Sequence, residues 1–206
     1  PELATSAPDA LAAAKLPHLK SIIRVGADPT PGMLNFDAVV DSGRDGDAAM
    51  LDALGADLDP EDAINIQFTS GTTGAPKGAT LSHVNIVNNG RFVVGAQNLT
   101  ERDRLCIPVP LYHCFGMVMG SLGCVTTGAA MIFPSEGFDA DSCLRALADE
   151  RCTAVYGVPT MFVGMLQHPE IKDFDLGALR TGIMAGAPCP IEVMKQCVTD
   201  MNLTDI

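Results

Sequence analysis

The chain has 206 residues, 47% of them hydrophobic and 18% charged, which places it among folded globular proteins that bury a core without disulfide or metal staples. Its 25 acidic residues against 13 basic ones leave a net charge of −12, a field that repels polyanions and excludes nucleic acid as a main partner. The seven cysteines (106, 114, 124, 143, 152, 189 and 197) contain no CxxC pair and sit mostly within apolar runs, the pattern of buried reduced thiols in a cytoplasmic protein.

Leu19 to Val25 is a short β-rich run closed by the turn-forming "GADPTPG", and "NFDAVVDSG" predicts a short helix ended by Gly43. Residues 43–62 are acidic and turn-rich and are expected to form a surface connection with one helical turn, so that 1–62 reads as a partial preceding subdomain and linker. From Ala63 strand and helix alternate. "AINIQFT" predicts a buried strand; "SHVNIVNNGRFVVGAQ" predicts a helix capped by Ser82, and "DRLCIPVP" a second strand. "FGMVMGSLGCVT" suits an apolar helix and "AAMIFP" a third strand. The next helix is capped by Asp139 or Asp141 and carries Cys143, Leu144, Leu147 and Ala148 as one apolar stripe. "TAVYGVP" and "LRTGIMAG" predict strands, with the helix "TMFVGMLQH" between them. A last helix starts with Pro190 in its first turn and repeats Met194, Cys197, Val198 and Met201 at i, i+3, i+4 and i+7. The chain begins without Met and ends on "NLTDI", which alternates as a strand does, so it reads as a segment of a longer polypeptide.

Such an alternation over 63–206 implies an α/β fold, a mostly parallel sheet flanked by helices, with ligands outside the carboxyl ends of the strands. Leu105 to Ser135 lacks Asp, Glu, Lys and Arg and is long enough to span a bilayer, but Pro108, Pro110, His113 and Thr126-Thr127 interrupt it, and no membrane span is expected. Its Gly116-to-Gly120 spacing fits either a dimerising membrane helix or a helix packed tightly on a sheet.

The run "FTSGTTGAPKGATLSH", Phe68 to His83, follows the first strand of that alternation. It is not a Walker A loop: Pro76 stands where the second glycine belongs and offers no N–H, and Gly78 replaces the metal-binding hydroxyl. Nor does it hold a G-x-G-x-x-G fingerprint. Its hydroxyls at Thr69, Ser70, Thr72 and Thr73, its glycines at 71 and 74 and the Lys77 ammonium are still apt for phosphate, though an exposed polar turn would use the same residues. His113 is open to a structural or a catalytic role, and a Cys114-His113 nucleophile is disfavoured because neighbours on an extended run point apart. No zinc-ligand spacing links the four histidines and seven cysteines.

"FTSGTTGAPKG" resembles the signature loop of the AMP-forming acyl-adenylating enzymes, the superfamily of acyl-CoA synthetases, firefly luciferases and peptide-synthetase adenylation domains. "PLYHCFG" at Pro110, "YGVPTMF" at Tyr156 and "MAGAPCP" at Met184 follow in that family's order, and "KGATLSH" with "NNG" is most similar to fatty-acid-CoA synthetases. The resemblance runs from about Leu19 to the end and covers less than half of a usual member. It implies an ATP-dependent ligase that converts a carboxylate to acyl-AMP and pyrophosphate and then to a CoA thioester. Thr69, Ser70, Gly71, Thr72, Thr73, Gly74 and Lys77 would hold the ATP phosphates, with Lys77 and His113 catalytic. Gly186, Ala187 and Pro188 would line the adenine pocket. Tyr112, His113, Val158, Pro159, Thr160 and Met161 would border the acid. Mg²⁺ would arrive with ATP, the Glu, Asp and Lys motifs of the family would lie past Ile206, and the chain alone would be inactive and prone to self-association. A nucleotide-binding module without catalysis, or another adenylating ligase, stays the alternative.

Overall fold

In a parallel sheet covered on both faces, residues facing opposite ways are apolar on both sides, and the run from Leu105 to Val109 shows this pattern. Leu105, Ile107 and Val109 pack on one side and Cys106 on the other. The computed structural model describes residues 2–69 and 74–206. They fall into two units, Pro1–Leu58 and Asp59–Ile206.

The first unit is sparse. A four-residue helix α1 (Glu2–Thr5) precedes two short parallel strands, β1 (Ile23–Arg24) and β2 (Leu34–Asn35), so only two residues of the expected Leu19-to-Val25 strand pair. The Asn35 side chain accepts the Asp37 N–H and starts α2 (Phe36–Ser42), which ends at Gly43 as predicted. The acidic connection holds more than one helical turn: Asp47 accepts the Ala49 N–H and caps the nine-residue helix α3 (Ala48–Ala56).

The second unit opens with β3 (Ala63–Thr69), which pairs antiparallel with β4 (Lys77–Ser82), a strand that the alternation of strands and helices did not reveal. Contrary to expectation, β3 is not buried, because it belongs to this two-stranded hairpin and not to the parallel sheet. Ile66 and Phe68 are 62% and 69% exposed. Ser82 then caps α4 (His83–Ala96) through a reciprocal box with Asn85.

The sheet has the order β6-β5-β7-β8 and is parallel throughout. Its strands are β5 (Arg104–Cys106), β6 (Ala130–Ile132), β7 (Ala154–Gly157) and β8 (Thr181–Met184). On one face lie α6 (Ala140–Asp149), α7 (Pro159–Leu166) and α8 (Ile191–Asp200), which bury Leu144, Leu147, Phe162, Met165 and Cys197 against Cys106 and Val155. The opposite face carries α4 and a continuous helix, π-helical over Phe115–Leu122 and α-helical over α5 (Gly123–Thr127), around Val94, Leu105, Phe115 and Tyr156. Each fully buried large side chain stabilises by roughly 1.5–3 kcal/mol. Asp139, not Asp141, caps α6. Pro190 sits at the N-cap of α8 and not in its first turn, and Val198 is 41% exposed while Val193 takes the place expected for it against the core. Past α8, Asp205 bridges Thr181 in parallel, which continues the sheet beyond β8.

Glycines set how closely the layers approach. A Cβ on Gly90 would lie 2.9 Å from Val118 O, and one on Gly123 2.5 Å from Val94 Cγ1, so α4 crosses α5 backbone to backbone. Gly116 and Gly120 face Pro110 O and Ile107, which assigns their spacing to packing on the sheet. Among the described residues no helix is long and apolar enough to cross a membrane.

At the amino ends of the strands, Asp103 ties the second unit together. Its carboxylate accepts from Thr100 N (2.8 Å), Thr153 Oγ1 (2.7 Å) and Arg180 Nη2 (2.9 Å), joining the approach to β5, the start of β7 and the start of β8. Burial works to raise the pKa of this carboxyl, but the bonds from Thr153, Thr100 and Arg180 outweigh it and hold the group below its ordinary range.

Candidate functional site

Register fixes which way the hairpin looks. Residues opposite one another across an antiparallel pair share a face, and Thr69 pairs with Lys77, Gln67 with Ala79 and Asn65 with Leu81. Gln67, Thr69, Ala79 and Leu81 line a cleft of about 460 Å³ together with Asn85 and Asn89 of α4 and Cys114 and Val118. Lys77 therefore lies on the cleft face, directly across from Thr69, and no ion pair engages it among the described residues. Ile66 and Phe68 point the other way, beside Gly78.

Of the predicted phosphate loop, Ser70, Gly71, Thr72 and Thr73 lie outside the described residues. Thr69 ends β3, Lys77 begins β4, and Gly74 is exposed, with nothing among the described residues within 4 Å of where a Cβ would lie.

The chain reaches Cys114 on the cleft's far wall by way of Tyr112 and His113, neither of which lines the cleft. The approach is a turn and not the extended run expected: His113 N donates to Pro110 O at 3.3 Å, and His113 O accepts from Gly116 N and Met117 N. Adjacent side chains consequently do not point apart, and Cys114 Sγ approaches His113 Nδ1 to 3.7 Å. Phe115 N also donates to Nδ1, at 3.1 Å, so the imidazole caps the helix that follows. A nitrogen that accepts a hydrogen bond carries a lone pair, so neutral His113 holds its proton on Nε2. With Nδ1 already engaged by a backbone N–H, His113 is poorly placed to serve Cys114 as a general base. Tyr112 is 85% exposed beside it.

The other predicted residues stand at the carboxyl ends of β7 and β8. Val158 is the N-cap of α7, Pro159 its buried first residue, Thr160 is exposed and Met161 half-buried. Met161 lines a second, smaller cavity of about 240 Å³ with Ile107, Pro110, Leu111, Phe133 and Phe138, and neither Tyr112 nor His113 belongs to it. Gly186, Ala187 and Pro188 form an exposed turn after β8. Gly186 has φ +87°, a conformation natural to glycine, and its Cα faces Val158 Cγ1 at a distance where an added Cβ would be 3.2 Å away. The β7 and β8 turns are held together by Ala185 N donating to Gly157 O at 3.1 Å.

Sequence reasoning missed the cleft residues Gln67, Asn89 and Val118 and weighed Cys114 only as a nucleophile beside His113. The alternation Asn65, Gln67, Thr69 against Ile64, Ile66, Phe68 was the available signal, since it marks a strand with one polar face. Among the described residues no three His, Cys, Asp or Glu side chains gather as a metal-ligating group.

A parallel sheet with loops gathered at its carboxyl ends, beside a hairpin that brings a hydroxyl and an ammonium to one face, defines an α/β protein of the kind that binds ligands outside the carboxyl ends of its strands. The chain belongs to the AMP-binding enzyme family, whose pattern it matches over residues 2–205. It is 44% identical over its whole length to the medium-chain acyl-CoA ligase ACSF2, mitochondrial, of Danio rerio, covering 34% of that protein. It is 48% identical over 84% of its length to the acyl-CoA ligase sidI of Aspergillus fumigatus, covering 30% of it. Among solved structures it resembles ATP-bound MatB from Rhodopseudomonas palustris, with TM-score 0.64 and 30% identity over 78% of this chain and 33% of that one. The chain thus spans about a third of the length of the curated relatives it matches.

Proposed function

We propose that this chain carries the phosphate-gripping part of an ATP-dependent acyl-CoA synthetase, which joins a fatty acid to AMP with release of pyrophosphate and then passes the acyl group to CoA thiol. The observation that supports it most directly is the pairing of Thr69 with Lys77 on the cleft face, at the two ends of the glycine loop, in a chain of the AMP-binding enzyme family.

In this reading the Thr69 hydroxyl donates to phosphate oxygens and the Lys77 ammonium offsets the negative charge that builds as pyrophosphate leaves. Transfer at phosphorus depends more on such positioning and charge than on covalent help from the protein. His113, its Nε2–H directed away from the helix it caps, donates to the acid's carboxylate, and Gly186 leaves room for the purine. The relatives named as medium-chain ligases support an aliphatic acid. Mg²⁺ travels with the triphosphate. Seven unpaired thiols, five of them buried, support a reducing, cytoplasmic setting, and the outward Ile66 and Phe68 support self-association of the isolated chain.

The test is pyrophosphate release by the enzyme that carries this chain, across a panel of carboxylates. Lys77→Ala is expected to slow acyl-adenylate formation in single turnover more than it weakens carboxylate binding. An unchanged adenylation rate removes Lys77 from the mechanism, and nucleotide binding without pyrophosphate release for any acid would reduce the chain to a binding module.

A further inference from the structure

Tyr156 has no place in the chemistry just described, yet it is fully buried against Phe115, the residue after Cys114 of the cleft. Its ring stacks on Phe115 with centroids 5.4 Å apart and planes 26° apart. Its hydroxyl accepts from Gln97 Nε2 at 2.8 Å. Gln97 is anchored in turn, since Nε2 also donates to Val93 O and its backbone carbonyl accepts from Arg180 Nη1. Burial pushes the phenol up to about 12 despite the Gln97 bond, so the ring stays a neutral plate at physiological pH.

Phe115 links this plate to the cleft. Its side chain rests on Tyr156 and its backbone N–H donates to His113 Nδ1. Because the first helical turn already spends the His113 carbonyl on Gly116 and Met117, Phe115 N cannot swing away without carrying the turn with it.

We propose that Tyr156 is a positioning residue for His113: by holding the Phe115 ring it keeps the Phe115 N–H on Nδ1, which confines the exposed imidazole to the Nε2–H tautomer and aims that N–H at the substrate carboxylate. The last step rests on the reading given under Proposed function; the tautomer does not. The aromatic ring, and not the hydroxyl, does the positioning. A flat residue at 156 therefore suffices, and an aliphatic one does not.

The experiment compares Tyr156→Phe, Tyr156→Leu and Phe115→Leu in the enzyme that carries this chain, each alone and combined with His113→Ala. It reads single-turnover acyl-adenylate formation, the KM for ATP, and the two-bond ¹H–¹⁵N spectrum of His113. Tyr156→Phe is expected within about twofold of wild type. Tyr156→Leu and Phe115→Leu should slow adenylation by roughly tenfold, the worth of one well-aimed hydrogen bond, with the ATP KM unchanged. In both, His113 should change from a pure Nε2–H spectrum to a tautomer mixture, and neither should slow the His113→Ala enzyme further. A folded Tyr156→Leu enzyme with an unaltered His113 spectrum overturns the proposal, and so does an equal loss of rate in the His113→Ala background. Should Tyr156→Leu fail to fold, Phe115→Leu decides by the same two criteria. Should wild type form no acyl-adenylate from any acid, the functional reading fails, and the His113 spectra still decide what Tyr156 holds.

Discussion

Replacing Asp103 removes the one acceptor that three separate segments share. In Asp103→Ala, Thr100 N and Thr153 Oγ1 lose a partner at a site that is 6% exposed, and a buried donor left unpaired costs about 1–3 kcal/mol. Arg180 loses less, because its guanidinium is 39% exposed and keeps Gln97 O and Asn98 O as acceptors. The expected total is about 3 kcal/mol, which in a chain of this size lowers Tm by roughly 6–12 °C. The pH dependence has a definite sign. The folded carboxyl lies below its ordinary value of 3.8, so its contribution is fully present above that value and is lost as pH falls through the lower folded value. Asp103→Asn cannot ionise, so the stability gap between wild type and this variant should be widest at pH 6–7 and should shrink below about pH 4. Urea unfolding followed by circular dichroism at pH 7, 5 and 3.5 measures it. A gap that is the same at all three values, or one below about 0.5 kcal/mol for Asp103→Ala at pH 7, would refute the assignment of Asp103 as the shared acceptor.

Gly123→Ala places a Cβ 2.5 Å from Val94 Cγ1 at the crossing of α4 and α5, and overpacking should outweigh the gain in helix propensity and destabilise by about 1–2 kcal/mol, read as a lowered urea midpoint with unchanged slope. Gly186→Ala forces a side chain into φ +87° and onto Val158; under the proposed function the KM for ATP should rise about tenfold while the carboxylate KM stays put, as steady-state kinetics will show. Thiol labelling at pH 8 should reach Cys114 quickly and Cys189 slowly and leave Cys106, Cys124, Cys143, Cys152 and Cys197 untouched until the chain unfolds, since all five are buried and burial pushes Cys124 and Cys197 up to about 11. Mass spectrometry of the labelled chain counts the modified sites.

Local signals were legible wherever a short stretch of chain decides its own conformation. Ser82 and Asp139 as caps, Gly43 as a helix stop, and the stripe of Cys143, Leu144 and Leu147 follow from backbone N–H groups that need an acceptor and from the 3.6-residue period. The motifs around Phe68, Pro110, Tyr156 and Met184 carried the family, because the residue types are few and their order is constrained. The parallel sheet was legible for the same reason, as alternation of strand and helix leaves few topologies.

Tertiary structure alone decided the rest. Whether "AINIQFT" is buried depends on which strand it pairs with, and its partner is β4, the strand that follows the glycine loop, so its apolar face turns outward and its polar face lines the cleft. Whether His113 and Cys114 meet depends on the turn at Pro110, and whether Val193 or Val198 is covered depends on where α8 lies on the sheet. No local rule brings Tyr156 under Phe115, 41 residues earlier in the chain, or sets Thr153 and Arg180 around Asp103. Such contacts arise between segments distant in sequence, whose meeting is fixed only when the whole core closes and each buried polar group must find its partner.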